Sequence, residues 1–538
     1  MDFCDRVRLV RHSYHLRDRA SSRSASDGLS PSFFLLIEPP ALADTGRVIP
    51  HPAQTFRGWG MSLAWEANDL YGGGRQPARI KDPQLQSQYM DLLYGDPTTR
   101  LTLGLNVARY NIGGGDDPTH TSMRADAEME GFRAGPGAAF DWTRDAAQRR
   151  MLQEARIRGA NIFEAFSNSP PFWMTVSGSS SGSTVAHQDN LRPDMRESFV
   201  TYLTTVVAHF RDVEDVRFES LEAFNEPDLS WMAGGRQEGY SASYSSQKML
   251  IPMLADRLKQ DGLDTFVSGV DMNNVGDAVE AAGQLSPRAL SALGRLNTHD
   301  YRLVNKPAQL KRFKMLAQKF HKPIWMSELG CCFANQGDRT EMWGALFMAD
   351  SVRMDLRDLG AEAWVLWQPD WNVIAFDENG GAPRPEKQFY ALAQYTRFIR
   401  PGFQIISAGG ASNTLAAYSP ALRRLVLVST NWDKETPNNL DLSAFGGLPS
   451  SVAVYRTTAD EAINLQKGTI SLSSKLHIID TLPARSITTY VVDGISPLNR
   501  PRRHRLPPDL RHRGTKWDAV GQSGQRCAES THQRCSQL

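Results

Sequence analysis

The sequence predicts an α/β fold: a closed (β/α)8 TIM barrel followed by an all-β side domain of the β-sandwich type. Three observations carry this expectation. Eight short β-like runs recur between residues 56 and 369, most with Gly, Pro, Asn or Asp at or just past the end. Several segments between them are amphipathic at helical spacing: in Met195–Phe210, Phe199, Leu203, Val206 and Val207 recur every three or four residues. From Phe403 onward the pattern changes to short strands separated by polar turns. Eight strands alternating with helices over roughly 300 residues favour a closed barrel over an open doubly wound sheet.

Taken in order, residues 1–45 are basic and polar. Phe33-Phe-Leu-Leu-Ile37 is shorter than the ~7–15 apolar residues of a secretory signal, so this segment is expected to be disordered or not the natural N-terminus. The barrel is expected over 46–400, with runs at Phe56–Trp65, Leu103–Gly113, Ala160–Ser169, Phe218–Glu226, Thr265–Met272, Arg295–Tyr301, Pro323–Glu328 and Ala361–Pro369. Tyr244–Asp261 reads as a further helix. The side domain is expected over 401–495, with strands at Leu425–Thr430, Val452–Thr457, Leu476–Ile479 and Ile487–Val492. The tail from 496 to 538 is basic and poor in apolar residues, and disorder is expected there.

Composition removes several function classes. A formal net charge of +1 provides no global field for nucleic acid. No run of about 18 apolar residues predicts a membrane span. The five cysteines, Cys4, Cys331, Cys332, Cys527 and Cys535, form neither a disulfide framework nor a zinc pattern. Gly113-Gly-Gly115 lacks the spacing of a phosphate or dinucleotide loop, so neither a cofactor nor a metal is expected.

The chemistry rests on two glutamates. FESLEAFNEP ends in Asn225-Glu226-Pro227, and proline stops the strand because it cannot donate to a ladder. A carboxylic acid is thereby left at the C-terminal end of the fourth run, which is the catalytic face of a barrel. Glu328 closes the seventh run in the same way. Glycoside hydrolysis needs two carboxylic acids, one to protonate the leaving oxygen and one to attack or to activate water. Asn225 is suited to bonding a sugar hydroxyl. Arg109 is a natural partner to keep the nucleophile ionised, and His299 to orient the same carboxylate. Glu164 and Glu222 sit mid-strand and are expected to point into the barrel or to pair with arginine. Asn168, Trp173, Trp65 and Trp367 lie at strand ends and are expected to bind or wall the sugar.

From about Gln54 to Val492 the chain resembles the family-thirty glycoside hydrolases. The residues that carry the resemblance are Gly58-Trp-Gly60 with Ser62-Leu-Ala-Trp65, Asn106-Val-Ala-Arg-Tyr-Asn111, Ser167-Asn-Ser-Pro-Pro171 with Trp173-Met174, Phe224-Asn-Glu-Pro227, His299, Trp325-Met-Ser-Glu328 and Tyr395-Thr-Arg-Phe-Ile-Arg-Pro-Gly402. It implies a retaining mechanism, with Glu226 as acid/base and Glu328 as nucleophile, and a side β-domain that includes a strand from just before the barrel. Leu63-Ala-Trp65, Gly113-Gly-Gly-Asp116, Gln237-Glu-Gly239 and Trp367-Gln-Pro-Asp370 look most like the endo-β-1,6-galactanase branch. That branch implies a secreted enzyme acting on the β-1,6-galactan side chains of arabinogalactan. Glu66 departs from the pattern, and is expected to alter a sugar-binding edge. The rival readings are β-1,6-glucan, glucuronoxylan or a glucosylceramide as substrate, and a non-catalytic carbohydrate-binding protein. A monomer is expected, with a polysaccharide as its partner.

Overall fold

The computed structural model describes residues 46–498, apart from 116–121, 302–305, 331–340, 370–372, 376–380, 448, 450, 467–469, 472 and 474–475. All five cysteines, the N-terminal segment and the basic tail past 498 lie outside the described residues, as do Asp116 and Asp370.

Eight parallel strands close into a barrel: Gly58–Ser62, Val107–Asn111, Ile162–Phe166, Ser220–Glu222, Phe266–Met272, Leu293–His299, Ile324–Leu329 and Ala363–Leu366, the last pairing with the first. They are called the first to eighth strands below. Period-two alternation decides what each contributes. Ala108 and Tyr110, Phe163 and Ala165, and Trp364 and Leu366 point outward into the large apolar core beneath the helices. The inward positions are mostly polar. Val107, Trp325, Ala363 and Val365 form a small apolar cluster. Beyond it come Arg109, Glu164, Ser220, Glu222, Ser268, Arg295, Asn297 and His299, all essentially buried. Barrels are usually filled by Val, Ile and Leu. Here the filling is a hydrogen-bonded charge network, which is why these strands lack long β-branched runs.

The ladders differ from the expected runs by up to four residues at an end, and two of these differences bear on the site. The fourth ladder ends at Glu222, so Glu226 lies four residues past it. The sixth strand begins at Leu293, two residues early, and stops at His299. The expected helices form at Arg196–Asp212 and Tyr244–Gln260. In the second, Ser243 caps the start by accepting a hydrogen bond from the Ser246 N–H.

The C-terminal part is a two-layer β structure. Its large sheet runs in the order Asn464–Leu465, Ser451–Thr457, Ser486–Asp493, Arg424–Asn431, Thr414–Ser419, Gln404–Ser407 and Ile49–Thr55, with Ile470–Ser471 also pairing with Ser451–Thr457. The segment just before the barrel therefore belongs to this sheet. Gly46–Arg47, Thr436–Asp441 and His477–Leu482 form the facing layer. Ala416, Tyr418, Leu425, Leu427, Tyr490 and Val492 face that layer. Leu415, Ala417, Val426, Val428 and Ile487 face the barrel side. Gln394, on helix Lys387–Thr396, donates to Thr457 Oγ1 at 2.9 Å and accepts from Thr489 Oγ1 at 2.5 Å, fixing helix to sheet.

Candidate active site

The fifth strand sets the geometry. Its register with the sixth shifts between Val270 and Met272, so Asp271 is an extra residue in a bulge, at φ +52°. Bulges re-aim side chains at the rims of barrels. Here the bulge turns the Asp271 carboxylate inward, and its carbonyl accepts a hydrogen bond from the Glu226 N–H at 2.9 Å. Glu226 sits in the left-handed region at φ +48°. A similar shift on the seventh strand lets Ser327 and Glu328 both serve the interior. Ser327 Oγ donates to Asp271 Oδ1 at 2.5 Å.

Arg109 is fully buried and joins these strands. Its guanidinium donates to Glu328 Oε2 at 2.7 Å, Asp271 Oδ2 at 2.6 Å and Asn225 Oδ1 at 3.0 Å. It lies 3.6 Å over the Phe166 ring. His299 sits between the two candidate glutamates. Its Nδ1 is 3.2 Å from Glu226 Oε1 and 3.5 Å from Glu328 Oε1, and its Nε2 is 3.2 Å from Asp271 Oδ1. His299 therefore meets the Glu328 carboxylate, as expected of a group that orients it, and also Glu226, to which it lies nearer. Asn273 Nδ2 donates to Glu226 Oε1 at 2.5 Å, and the Tyr301 hydroxyl donates to Glu328 Oε1 at 3.0 Å.

The charges balance by opposition. Burial alone would push the His299 imidazole down, but the Glu328 and Asp271 carboxylates outweigh it and hold the ring protonated well above its usual range. Burial raises the Glu328 carboxyl above the ordinary range, with His299 and Arg109 opposing. Burial acts on Asp271 in the same direction, but His299 and Arg109 overcome it and leave that carboxyl low. Glu222 is driven well up by burial and then by the Asp271 charge.

Glu226, His299 and Glu328 bring one donor atom each within 4.8 Å of one another. Two carboxylates and an imidazole form a chemically reasonable donor set for a divalent cation. The same atoms already face Asn273, Tyr301 and a protonated imidazole, so a metal would have to displace that proton.

Of the residues predicted from sequence, Arg109, Asn225, Glu226, His299 and Glu328 come together in one hydrogen-bonded group. Trp65 and Trp367 pack edge to face at 4.8 Å beside Phe166, and Arg124 lies 4.3 Å over the Trp65 ring. Asn168, two residues past the third strand, uses its main-chain N–H to bond Asn111 Oδ1 at 3.1 Å. Trp173 stands apart and half-buried, its indole donating to the Arg133 carbonyl at 3.0 Å. Glu164 and Glu222 lie inside the barrel: Glu164 pairs with Arg295, and Glu222 accepts from Asn297 at 2.7 Å. Glu66 is fully buried and bonded to Tyr89, so it forms no sugar-facing edge. The sequence reading missed Asp271, Asn273 and Tyr301. Their signal was a polar run, Asp271-Met-Asn-Asn274, directly after an apolar strand, and a tyrosine two residues past His299.

The family model for O-glycosyl hydrolase family 30 matches residues 49–285. An endo-β-1,6-galactanase of Hypocrea rufa is 31% identical over 469 residues, covering 81% of this chain and 94% of that one. The chain belongs to O-glycosyl hydrolase family 30. It is a glycoside hydrolase of a family in which the retaining mechanism is general. Two solved structures share the fold. A conserved exported protein of Bacteroides fragilis superposes with a TM-score of 0.70 at 21% identity, over 83% of this chain and 100% of that one. The catalytic domain of a family 30 xylanase from Talaromyces cellulolyticus gives 0.62 at 20% identity, over 84% and 100%.

Proposed function

We propose that this family 30 enzyme is a retaining endo-β-1,6-galactanase with Glu328 as nucleophile and Glu226 as acid/base. The observation that carries the mechanism is the separation of the two carboxyl groups: one oxygen of each lies within 4.8 Å of the other, with His299 between. Retaining enzymes hold their carboxyls ~5–5.5 Å apart, whereas inverting ones leave ~6.5–9.5 Å for a water. In the first step Glu328 attacks the anomeric carbon while Glu226 gives its proton to the departing O6 of the next galactose. In the second, Glu226 takes a proton from water, which displaces Glu328. Arg109 and Tyr301 hold the attacking carboxylate. Asn225 Oδ1 is taken by Arg109, which leaves its N–H groups for the sugar 2-hydroxyl. Trp367 is the aromatic beside the ring, with Trp65 packed edge to face behind it.

The substrate reading is supported by the Hypocrea rufa relative, an endo-β-1,6-galactanase similar along most of both chains. Each group the mechanism uses comes from this one chain, so a monomer suffices. No helix among the described residues is long and apolar enough to cross a membrane. A polymeric galactan as substrate supports a place of work outside the cell.

The test is a product profile of the full chain on β-1,6-galactan, β-1,6-glucan and glucuronoxylan, with Glu328→Gln as control. A ladder of short galactose oligomers from the first polymer alone, absent in the control, is expected. Release from another polymer would keep the mechanism and overturn the sugar. Silence of a folded sample on all three would support a carbohydrate-binding protein instead.

A further inference from the structure

We infer that Trp231 is the aromatic wall of the leaving-group subsite, held in a fixed plane against the main chain of Glu226. This rests on the acid/base role proposed for Glu226, because the sugar next to the acid is the one that departs.

Four observations carry it. The Trp231 indole N–H donates to the Glu226 carbonyl at 2.9 Å, which seats the ring beside the residue that protonates the leaving oxygen. The ring is half-buried, unlike Trp65, which is 2% exposed, and its neighbour Met232 is 40% exposed. An apolar rim therefore reaches solvent next to the acid. Gly239 lies against the indole, where a Cβ would come 2.1 Å from the nearest ring atom, so only a glycine leaves room for the ring at this position. The support is a second loop rather than a helix. Ser183 N–H donates to the Trp231 carbonyl at 3.1 Å, Ala233 N–H returns a bond to the Ser183 carbonyl at 2.9 Å, and Gly234 N–H donates to Ser181 Oγ at 3.0 Å.

The serine-rich loop is itself pinned. Asn190 Nδ2 donates to the Ser179 and Gly182 carbonyls at 3.1 and 2.9 Å. Gly182, at φ +139°, stands where a Cβ would fall 2.2 Å from the Trp231 carbonyl carbon. A flat ring anchored through its N–H and its main chain, and set against Gly239, is pre-organised for the C–H face of a sugar, and such order lowers the cost of binding. The Gln237-Glu-Gly239 motif then has a physical reading. Glu238 accepts from Gly114 N–H and Asn111 Nδ2 at 2.7 and 2.9 Å, and so ties the loop to the second strand, while Gly239 makes room for the indole.

The experiment compares wild type, Trp231→Ala and Trp231→Phe on three substrates: β-1,6-galactan, methyl β-1,6-galactobioside and 2,4-dinitrophenyl β-1,6-galactobioside. Methanol needs acid help to leave but has no ring to stack, whereas dinitrophenolate needs no acid. A leaving-group wall predicts that kcat/KM for galactan falls ten-fold or more relative to both galactobiosides in Trp231→Ala. It predicts that the methyl to dinitrophenyl ratio stays within three-fold of wild type. Galactobiose as acceptor should then saturate transfer at a concentration at least five-fold higher, because acceptor and leaving group share the subsite. Trp231→Phe, which keeps an aromatic ring without the N–H, should recover part of the galactan rate.

A fall in the methyl to dinitrophenyl ratio would instead mean that Trp231 only positions Glu226, and would overturn the inference. Unchanged galactan kinetics and unchanged acceptor saturation in Trp231→Ala would also overturn it. If the wild type cleaves a different polymer, the same comparison runs on that polymer and its glycosides, so an error in the sugar does not mask the result. A wild type inactive on every substrate removes the function and the inference with it.

Discussion

Replacing Arg109 with lysine keeps one positive charge in the barrel and removes the fork. In the native site the guanidinium reaches Glu328 at 2.7 Å, Asp271 at 2.6 Å and Asn225 at 3.0 Å. These acceptors belong to three different strand ends. A single ammonium cannot serve all three in the same plane, and it loses the stacking on Phe166. Two charge-assisted hydrogen bonds at ~1.5–3 kcal/mol each are at stake, part of which relaxation recovers, so a stability loss of about 3 kcal/mol is expected. The kinetic effect is larger. Arg109 opposes the burial that raises the Glu328 carboxyl, so weakening that contact by ~1.4 kcal/mol moves the acid limb of the pH–rate profile up by about one unit. A misplaced attacking oxygen costs on the order of a further 100-fold. The assay is reducing-sugar release from β-1,6-galactan across pH 3–9, with thermal melts of the same samples. A variant within three-fold of wild type in kcat/KM and with the same acid limb would refute the claim that the fork holds the nucleophile. An unchanged melting curve would refute the claim that it holds the barrel.

Two more predictions test the acid side. Glu226→Ala should slow galactan by about 1000-fold and 2,4-dinitrophenyl galactobioside by less than about ten-fold in the first step, because general acid help is worth ~10²–10⁴ only where the leaving group needs it; equal losses would remove Glu226 from that role. Asp228 is mostly buried, accepts from the Asn273 N–H at 3.0 Å through Oδ1, and has no partner for Oδ2 among the described residues. Burial, and then the charges of Glu226 and Asp277, push its carboxyl up to about 7. A carboxyl raised on folding favours the fold most below its unfolded value near 4, and that contribution is lost as pH rises through the folded one. Asp228→Asn should therefore stabilise the protein above pH 7 by on the order of 2–4 kcal/mol and hardly at all at pH 4. Denaturant melts at both pH values decide it, and equal effects would contradict the linkage.

The barrel was legible in the sequence because its outward positions repeat. Tyr110, Phe163, Leu221 and Leu296 feed one core, and the turn residues punctuate them. The two glutamates were legible because Pro227 and Gly330 mark strand ends. The strands Gln404–Ser407, Thr414–Ser419 and Thr436–Asp441 were not, since runs such as TPNNLD carry little alternation and are made strands by their neighbours. Asp271 was hidden for a different reason. A regular period-two reading of Phe266–Met272 turns Ser268 inward and leaves Asp271 facing out, and only the bulge reverses it. Glu226 shows the converse. Its identity was legible, but its left-handed backbone and its hydrogen bond to the Asp271 carbonyl depend on that same bulge.

The bulge also sets the charge count, and this gives a final prediction. Glu164, 3.4 Å from Arg109 Nε, is matched by Arg295, which leaves three carboxylates, Glu226, Asp271 and Glu328, facing two cations, Arg109 and His299. Three against two leaves one carboxylate without a counter-charge in a buried site. Asp271 supplies the excess charge without facing the reaction. Its carboxylate raises both Glu328 and His299. Asp271→Asn removes one negative charge and keeps the side chain's shape, so both groups should release their protons at lower pH. At about 5 Å and an effective dielectric of ~20 the interaction is ~3 kcal/mol, a ceiling of roughly two pH units, with about one unit expected after relaxation. The acid limb, which reports the attacking carboxylate, should shift to lower pH, with the optimum losing about ten-fold in rate from the missing Arg109 partner. The carboxyl of Asp271 itself is low in the fold, so the stability it adds is present above its unfolded value near 4 and lost as pH falls through the folded one. The variant should accordingly be weaker than wild type at pH 7 and converge with it near pH 3. An acid limb that stays in place would mean that the carboxylate serves only to hold Arg109.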